Sequence, residues 1–172
     1  MLHIILYQPE KPANTGNIMR TCKACGASLH IIGPINFSLD EKALKRAGMD
    51  YIEGLSLTIY DSYEDFLKKH PTADIYYVTR YGENVYSNND FSRIEHSYYI
   101  MFGKESTGIP HEILRDHLDK CLRIPMLPSA RSLNLSNCVA LVTYEVLRQQ
   151  QFYGLSSKEM IKGDNFLINE EK

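Results

Sequence analysis

Three short segments of the sequence concentrate side chains that can hold a polar ligand in place. The first, at positions 12–20, reads PANTGNIMR and ends in Arg20. Its asparagines can donate and accept hydrogen bonds, and the planar guanidinium of Arg20 has a donor geometry that matches a phosphate group. Taken alone, however, this segment is better explained as a capped helix with one exposed arginine.

The second segment, at positions 101–110, reads MFGKESTGIP and follows an apolar run. Gly103 and Gly108 bracket a polar stretch, as in turns that wrap around a nucleotide. The spacing is neither the G-x-G-x-x-G of dinucleotide-binding folds nor the G-x-x-x-x-G-K-[ST] of phosphate-binding loops, so both of those classes are disfavoured. A tight structural turn remains an open alternative.

The third segment, at positions 123–137, reads RIPMLPSARSLNLSN. Pro125 and Pro128 stiffen a loop that contains apolar residues, and apolar residues on a stiff loop can line a flat slot for adenine. Ser132 and Asn134 can cap the helix predicted to follow, so that its N-terminus faces the same place. A proline-stiffened connection with an ordinary helix cap is the alternative.

Apolar runs that alternate with helical stretches must position these segments. Strands are predicted at 2–7, 28–32, 55–60, 75–79, 98–102 and 121–124. Helices are predicted from Asn14 or Thr15 to Cys25, from Ser38 to before Gly48, from Ser62 to Pro71, after Pro110, and from 132–134 to Gln151. This alternation indicates a single α/β domain with a mostly parallel sheet. Such proteins bind ligands in the loops at the carboxyl ends of their strands.

A CxxC pair, Cys22 and Cys25, invites a zinc or redox interpretation. Cys121 and Cys138 are widely separated, so no second pair completes a zinc site. The CxxC pair lies near the expected end of a helix, just before Gly26, where the helix dipole disfavours a thiolate. We therefore expect buried structural cysteines, and neither a metal nor a redox centre.

The 172 residues include 19 basic and 21 acidic side chains, a net charge of −2, and 44% are hydrophobic. This composition suits one compact domain. A protein that holds RNA by charge alone is usually basic, so an RNA partner would have to contact locally clustered basic residues. We find neither a signal peptide nor an apolar run of the ~18 residues that a membrane span needs. We therefore expect a cytoplasmic protein without a membrane partner.

The predicted last helix is apolar on nearly all sides between Leu133 and Leu147. A helix of this kind must be buried on several faces. An end helix is difficult to cover with its own chain in a domain of this size, so a subunit interface is favoured over a central core position. We therefore expect a homodimer that forms through this helix.

Together and in this order, PxNTGNIxR, FGxExxGIP and RIPMxPxxRSLNLSN resemble the three motifs of the SPOUT class of RNA methyltransferases. The resemblance covers the chain from Met1 to about Gly154, which places the domain at 1–155 and a peripheral tail at 156–172. It is strongest to short members that methylate the ribose 2′-hydroxyl of cytidine or uridine 34, the wobble nucleotide of tRNA.

The resemblance implies several properties that the residue patterns do not. The sheet should contain a C-terminal trefoil knot. The methyl donor should be S-adenosylmethionine, with S-adenosylhomocysteine as the product. The RNA partner should be a tRNA anticodon stem-loop, and Tyr144 should lie at the homodimer interface.

The resemblance also implies catalytic roles. Arg20 is expected to reach the reacting ribose at the partner subunit's site, and the resemblance suggests that it acts there as a base. A guanidinium holds its proton too firmly for that role, so we instead expect Arg20 to clamp the adjacent phosphate and polarise the hydroxyl. Asn14, Glu105, Ser132 and Asn134 are expected to frame the ribose. The proton would pass to water, to Glu105 or to a phosphate oxygen.

The donor pocket is the remaining assignment that the resemblance makes. Because Gly103 has no side chain, a larger residue there is expected to block the adenine of the donor. The pocket is assigned to Val78, Thr79, Gly103, Ile124, Met126, Ser132 and Leu133.

Three alternatives stay open. The same chemistry could act on ribosomal RNA or on another position of tRNA. A protein with this fold could bind RNA or assist assembly without catalysis. The α/β pattern and the CxxC pair also suggest a flavodoxin-like redox protein, although the loops that such a protein needs are missing.

Overall fold

The computed structural model describes residues 1–39, 53–163 and 166. The described strands are β1 (Leu2–Tyr7), β2 (Ser28–Ile32), β3 (Leu57–Tyr60), β4 (Asp74–Val78), β5 (Asn84–Val85), β6 (Tyr98–Phe102) and β7 (Cys121–Arg123). They form one sheet in the order β3-β2-β1-β6-β4-β7-β5. All pairings between these named strands are parallel, in agreement with the predicted α/β class.

The sequence predicted six of these seven strands. Strands β1, β2 and β6 have the predicted bounds. Strand β3 begins two residues later than predicted, β7 ends one residue earlier, and β4 begins and ends one residue earlier. Strand β5 was missed because its two residues are too few to show an alternating pattern. The trefoil knot stays a prediction.

Within the described residues, four α-helices cover the two faces of the sheet: α1 (Pro12–Cys25), α2 (Tyr63–Lys69), α3 (His111–Arg115) and α4 (Leu135–Gln149). Ile18 of α1 and Val142 of α4 belong to one buried apolar cluster. Phe66 of α2 and Leu114 of α3 belong to a second cluster. The sheet therefore lies between two helical layers, with α1 and α4 together on one side.

Helix α1 begins at Pro12, so the predicted start at Asn14 or Thr15 is wrong by two or three residues. Proline is favoured at the first helical position because its fixed φ suits the helix and its missing N–H leaves no bond unmade. The segment at 12–20 is therefore helical and not a loop. The predicted end is confirmed, since Gly26 adopts the left-handed conformation at φ 72°.

Helix α4 begins one residue after Asn134, whose side chain accepts a hydrogen bond from the backbone of Ser136. Ser132 lies before this cap, so its predicted capping role is wrong. One face of α4 is buried in the core, whereas Leu141 and Tyr144 on another face remain 45% and 46% exposed. Within one chain, the helix is thus only partly covered.

A chain of buried imidazole and phenol groups occupies the face of the sheet opposite α1 and α4. His3 Nδ1 lies 3.0 Å from His30 Nε2. His30 Nδ1 lies 2.9 Å from the Tyr60 hydroxyl, which lies 2.8 Å from His70 Nε2. Burial lowers the pKa of His3 and of His30 to about 4. Both rings are therefore neutral near pH 7 and serve the packing of this face.

Two sequence predictions fall wholly or partly outside the described residues. The helix predicted from Ser38 to before Gly48 lies mostly in the undescribed stretch at 40–52. The predicted tail is described only at 156–163 and 166, where nearly all residues are exposed. Among the described residues, we find no helix with the length and apolar character needed to cross a membrane.

Candidate functional site

A cleft of about 560 Å³ opens where β4, β6 and β7 end. Ten of the eleven residues that the sequence analysis selected line it, and only Arg20 does not. The cleft brings together all seven residues of the expected donor pocket, namely Val78, Thr79, Gly103, Ile124, Met126, Ser132 and Leu133. Asn14, Glu105 and Asn134 also line it.

The wall that follows β4 is a turn at 79–82 held against β7. The backbone N–H of Thr79 donates to the carbonyl of Leu122 at 2.9 Å. A Cβ built on Gly82 would lie 2.8 Å from the carbonyl oxygen of Cys121, so only glycine fits this approach. The turn therefore has a fixed position at the edge of the cleft.

The wall that follows β6 is a loop that folds back on itself. Lys104 and Gly108 exchange two backbone hydrogen bonds, at 3.2 and 3.0 Å. A Cβ on Gly103 would lie 2.1 Å from the carbonyl carbon of Gly108 and 2.2 Å from the nitrogen of Ile109. The expectation that a side chain at Gly103 would block adenine stays a prediction. Such a side chain would first collide with its own loop.

The carboxylate of Glu105 caps helix α1 from this loop. One oxygen accepts from the backbone N–H of Glu10 at 2.8 Å. The other accepts from the backbone N–H of Lys11 at 3.1 Å and from Nδ2 of Asn14 at 2.9 Å. The residue at the N-cap position of α1, Lys11, makes no side-chain cap of its own, and the first turn contains no acidic residue. The carboxylate of Glu105, distant in sequence, therefore accepts hydrogen bonds from backbone N–H groups at the start of α1 that no neighbouring side chain satisfies.

A second carboxylate makes the reciprocal contact. Glu10 accepts from the backbone N–H of Ser106 at 2.9 Å and from its hydroxyl at 2.8 Å. These two hydrogen bonds lower the pKa of Glu10 below its ordinary value. The loop after β6 and the start of α1 are thus joined in both directions, each acidic side chain binding the backbone of the other segment.

Asn14 extends the connection to helix α4. Its Oδ1 accepts from Nδ2 of Asn134 at 2.9 Å. Oδ1 of Asn134 in turn accepts from the backbone N–H and the hydroxyl of Ser136, at 2.8 and 2.6 Å. Glu105, Asn14 and Asn134 therefore form a continuous hydrogen-bond chain across all three sequence segments.

Arg20 lies apart from this arrangement. It is exposed in the second half of α1 and does not line the cleft of its own chain. The structure therefore separates Arg20 from the other predicted site residues.

The cysteines are placed as the sequence predicted. Cys22, Cys25 and Cys121 are buried, and Cys138 is partly buried at the cleft. Burial raises the pKa of all four thiols, so none is a reactive thiolate near pH 7. Within residues 1–39, 53–163 and 166, no three His, Cys, Asp or Glu side chains form a group that could hold a metal ion.

Sequence reasoning missed several residues of the site. Glu10 and Ser106 lie within or beside the recognised segments, but the two hydrogen bonds that Ser106 donates to Glu10 join positions 96 apart and leave no local pattern. Tyr81 lines the cleft from the turn after β4. Its sequence signal is its place just after a strand at the predicted ligand-binding edge.

Comparison with known proteins shows what this chain is similar to. The model of the SpoU rRNA methylase family matches residues 1–144. A relative from Geobacillus stearothermophilus is 50% identical over 155 residues, which cover 90% of this chain and 99% of the relative. The tRNA (cytidine(34)-2'-O)-methyltransferase of Escherichia coli K12 is 43% identical over 156 residues, which cover 90% of this chain and 97% of that protein.

Solved structures show the same similarity. A crystal structure of a protein from Bacillus anthracis has a TM-score of 0.89 and 48% identity, with 92% of this chain and 100% of that chain covered. A structure described as giving insights into the 2-OH methylation of C/U34 on tRNA has a TM-score of 0.79 and 39% identity. It covers 88% of this chain and 97% of its own.

The contacts of Gly103 lead to a prediction. We expect Gly103→Ala to displace the loop after β6, because the added Cβ would overlap backbone atoms of Gly108 and Ile109. The variant should melt several degrees below the wild type in a thermal scan. Its affinity for S-adenosylhomocysteine, the ligand implied by the sequence resemblance, should fall at least tenfold in calorimetry. Unchanged melting together with unchanged affinity would show that the loop tolerates the side chain.

Proposed function

Because the chain belongs to the SpoU rRNA methylase family, we propose that it transfers a methyl group from S-adenosylmethionine to the ribose 2′-hydroxyl of nucleotide 34 in tRNA. The single observation that carries this proposal is the cleft, which gathers ten predicted site residues from four stretches of the chain that are distant in sequence. Relatives over 40% identical across about nine tenths of the chain carry this activity in their names. Methylation of another RNA is the alternative that the experiment must separate.

The cleft has the size and lining that a nucleoside-based donor needs. Its volume of about 560 Å³ lies within the usual range for small-molecule sites. Val78, Ile124, Met126 and Leu133 provide apolar surface, and Thr79 and Ser132 provide hydrogen-bonding groups. S-adenosylmethionine supplies an activated methyl group on a sulfonium cation. A partly apolar lining favours dispersal of that positive charge during the transfer.

The hydrogen-bond chain fixes the acceptor side of the cleft. Both oxygens of Glu105 already accept hydrogen bonds from the first turn of α1 and the two residues before it, so we assign this carboxylate to positioning and not to proton removal. Asn14 and Asn134 hold the starts of α1 and α4 together at the cleft. Alignment of donor and acceptor supplies much of the rate in a single displacement, so a fixed frame serves catalysis directly.

Arg20 completes the site in this proposal, but from a second copy of the chain. It lies outside the cleft of its own chain, in a helix that packs beside α4. A homodimer through α4 would carry the Arg20 of one subunit toward the cleft of the other. There its guanidinium would hold the phosphate next to the reacting ribose and polarise the hydroxyl.

The exposed face of α4 supports such a dimer. Leu141 and Tyr144 are about half exposed on this helix, and Leu133 beside it is 40% exposed. Exposed apolar groups that cluster on one helix face are typical of an interface. The two-fold contact expected of a homodimer would pair this face with itself.

The proposed RNA partner fits a small, local basic surface. With a net charge of −2, the chain cannot hold a large RNA by general attraction. Lys11, Arg80 and Lys104 line the cleft, and Arg20 would be added across a dimer. Lys42, Lys45 and Arg46, further basic candidates in the sequence, lie outside the described residues. An anticodon loop exposes its bases and riboses for recognition of this kind, and such a tRNA substrate accords with the predicted cytoplasmic location.

The assay for this function is methyl transfer to tRNA by the purified protein, with the product located by mass spectrometry of nuclease digests. We expect a methyl group on the ribose of nucleotide 34. Arg20→Ala should reduce transfer at least a hundredfold while S-adenosylhomocysteine binds within twofold of wild type, because Arg20 is assigned to the RNA side. Arg115→Ala, which removes an exposed arginine from α3, is the matched control and should keep its activity.

Two outcomes would count against the assignment. A methyl group on a base, or transfer to ribosomal RNA alone, would show a different substrate. An Arg20→Ala protein that still methylates tRNA at the wild-type rate would remove Arg20 from the site.

The proposed dimer gives a separate prediction. Tyr144→Asp places a charge on the exposed face of α4 and should convert a dimer to monomers in sedimentation at micromolar concentration. Leu67→Asp is the control, because Leu67 is an exposed apolar residue on helix α2, 38% accessible and away from α4. A wild type that sediments as a stable monomer would disprove the interface.

A further inference from the structure

An aromatic side chain is largely exposed at the rim of the cleft. Tyr81 follows β4, lines the cleft and is 61% exposed. Exposed aromatic residues on a soluble protein commonly mark a surface that meets a ligand. Tyr81 is absent from the residues that the sequence resemblance assigned.

The backbone below Tyr81 is firmly held, although its ring is exposed. Its N–H donates to the hydroxyl of Thr79 at 3.3 Å. The guanidinium of Arg123 donates to the carbonyl of Arg80, one residue before it. Gly82, one residue after it, is pressed against β7 and leaves no room for a side chain. The ring is therefore presented from a fixed turn, which lowers the conformational entropy that a ligand contact would cost.

A second ring stands beside it. The imidazole of His111, at the start of helix α3, lies 5.1 Å from the Tyr81 ring between centroids and is inclined at 86° to it. The two nearly perpendicular rings of Tyr81 and His111 form a corner into which a flat group can fit. A flat group stacked on one ring meets the other ring edge-on, and both contacts are favourable for aromatic systems.

We propose that Tyr81 and His111 form a stacking site for an unpaired base of the RNA substrate, next to the nucleotide that is methylated. This inference rests on the function proposed above. Single-stranded RNA is commonly recognised by bases that stack on aromatic side chains. Basic residues needed for the neighbouring phosphates are close by, since Arg80 and Lys104 line the same cleft.

The position of the two rings favours an RNA base over the adenine of the methyl donor. Val78 and Thr79, assigned to the donor, are partly buried within the cleft, whereas Tyr81 is exposed at its rim. His111 is also exposed and lies beyond the residues that line the cleft. The corner therefore extends outward from the donor pocket, toward the side from which a large substrate must approach.

The test compares Tyr81→Leu, which removes the ring, with Tyr81→Phe, which keeps it. Binding of a fluorescently labelled anticodon stem-loop is followed by anisotropy, and KM for the same RNA is measured in the methylation assay. Tyr81→Leu should weaken RNA binding and raise KM about five- to tenfold. Tyr81→Phe should stay within twofold of wild type. The affinity for S-adenosylhomocysteine should be unchanged in both variants.

Stem-loops with single abasic positions identify the stacked base. At the position that contacts Tyr81, loss of the base should weaken binding to the wild type but leave binding to Tyr81→Leu unchanged. Equal RNA affinity of Tyr81→Leu and wild type would overturn the inference, as would a loss confined to S-adenosylhomocysteine binding. If the wild type itself does not methylate the stem-loop or intact tRNA, it is the proposed function that fails.

Discussion

The capping of helix α1 by the carboxylate of Glu105 is the interaction on which the rest of the site depends. It connects positions 94 and 95 residues apart, and it supplies charge and hydrogen-bond acceptors where the helix has neither. A carboxylate at a helix N-terminus is stabilised by the dipole and by the unpaired backbone donors there. The same carboxylate lies in the loop that forms one wall of the cleft, so helix stability and cleft shape are coupled.

Parallel topology makes this coupling possible. Strands β1, β6, β4 and β7 are neighbours in the sheet, and the segments that follow them emerge at one edge. Polar groups on these segments need hydrogen-bond partners, and they find them in one another. Asn14 donates a hydrogen bond to Glu105 and accepts one from Asn134, so the three side chains are paired with one another. The same contacts orient α4, whose exposed face we assign to a second subunit.

Much of the fold was predictable from local pattern. The buried strands are mostly apolar runs. Gly26 ends helix α1 and Asn134 caps the start of α4, as their residue types indicate. Prediction was wrong where the decisive partner is distant. The start of α1 was placed at Asn14 or Thr15 because both are good caps locally, whereas the true cap comes from Glu105. The assignment of site residues came from the family resemblance, and the structure adds their connections and the position of Tyr81.

Glu105 holds the loop after β6 against the start of α1, and that loop also forms the wall of the cleft that contains Gly103 of the expected donor pocket. The most direct test of this role is calorimetry of S-adenosylhomocysteine binding to Glu105→Gln, which keeps the size of the side chain but replaces one acceptor oxygen with a donor. We expect the affinity to be at least tenfold weaker, or about 1.4 kcal/mol, with no such loss for the exposed control Glu95→Gln. Wild-type affinity in Glu105→Gln would contradict this role, because the cleft would then form without the cap.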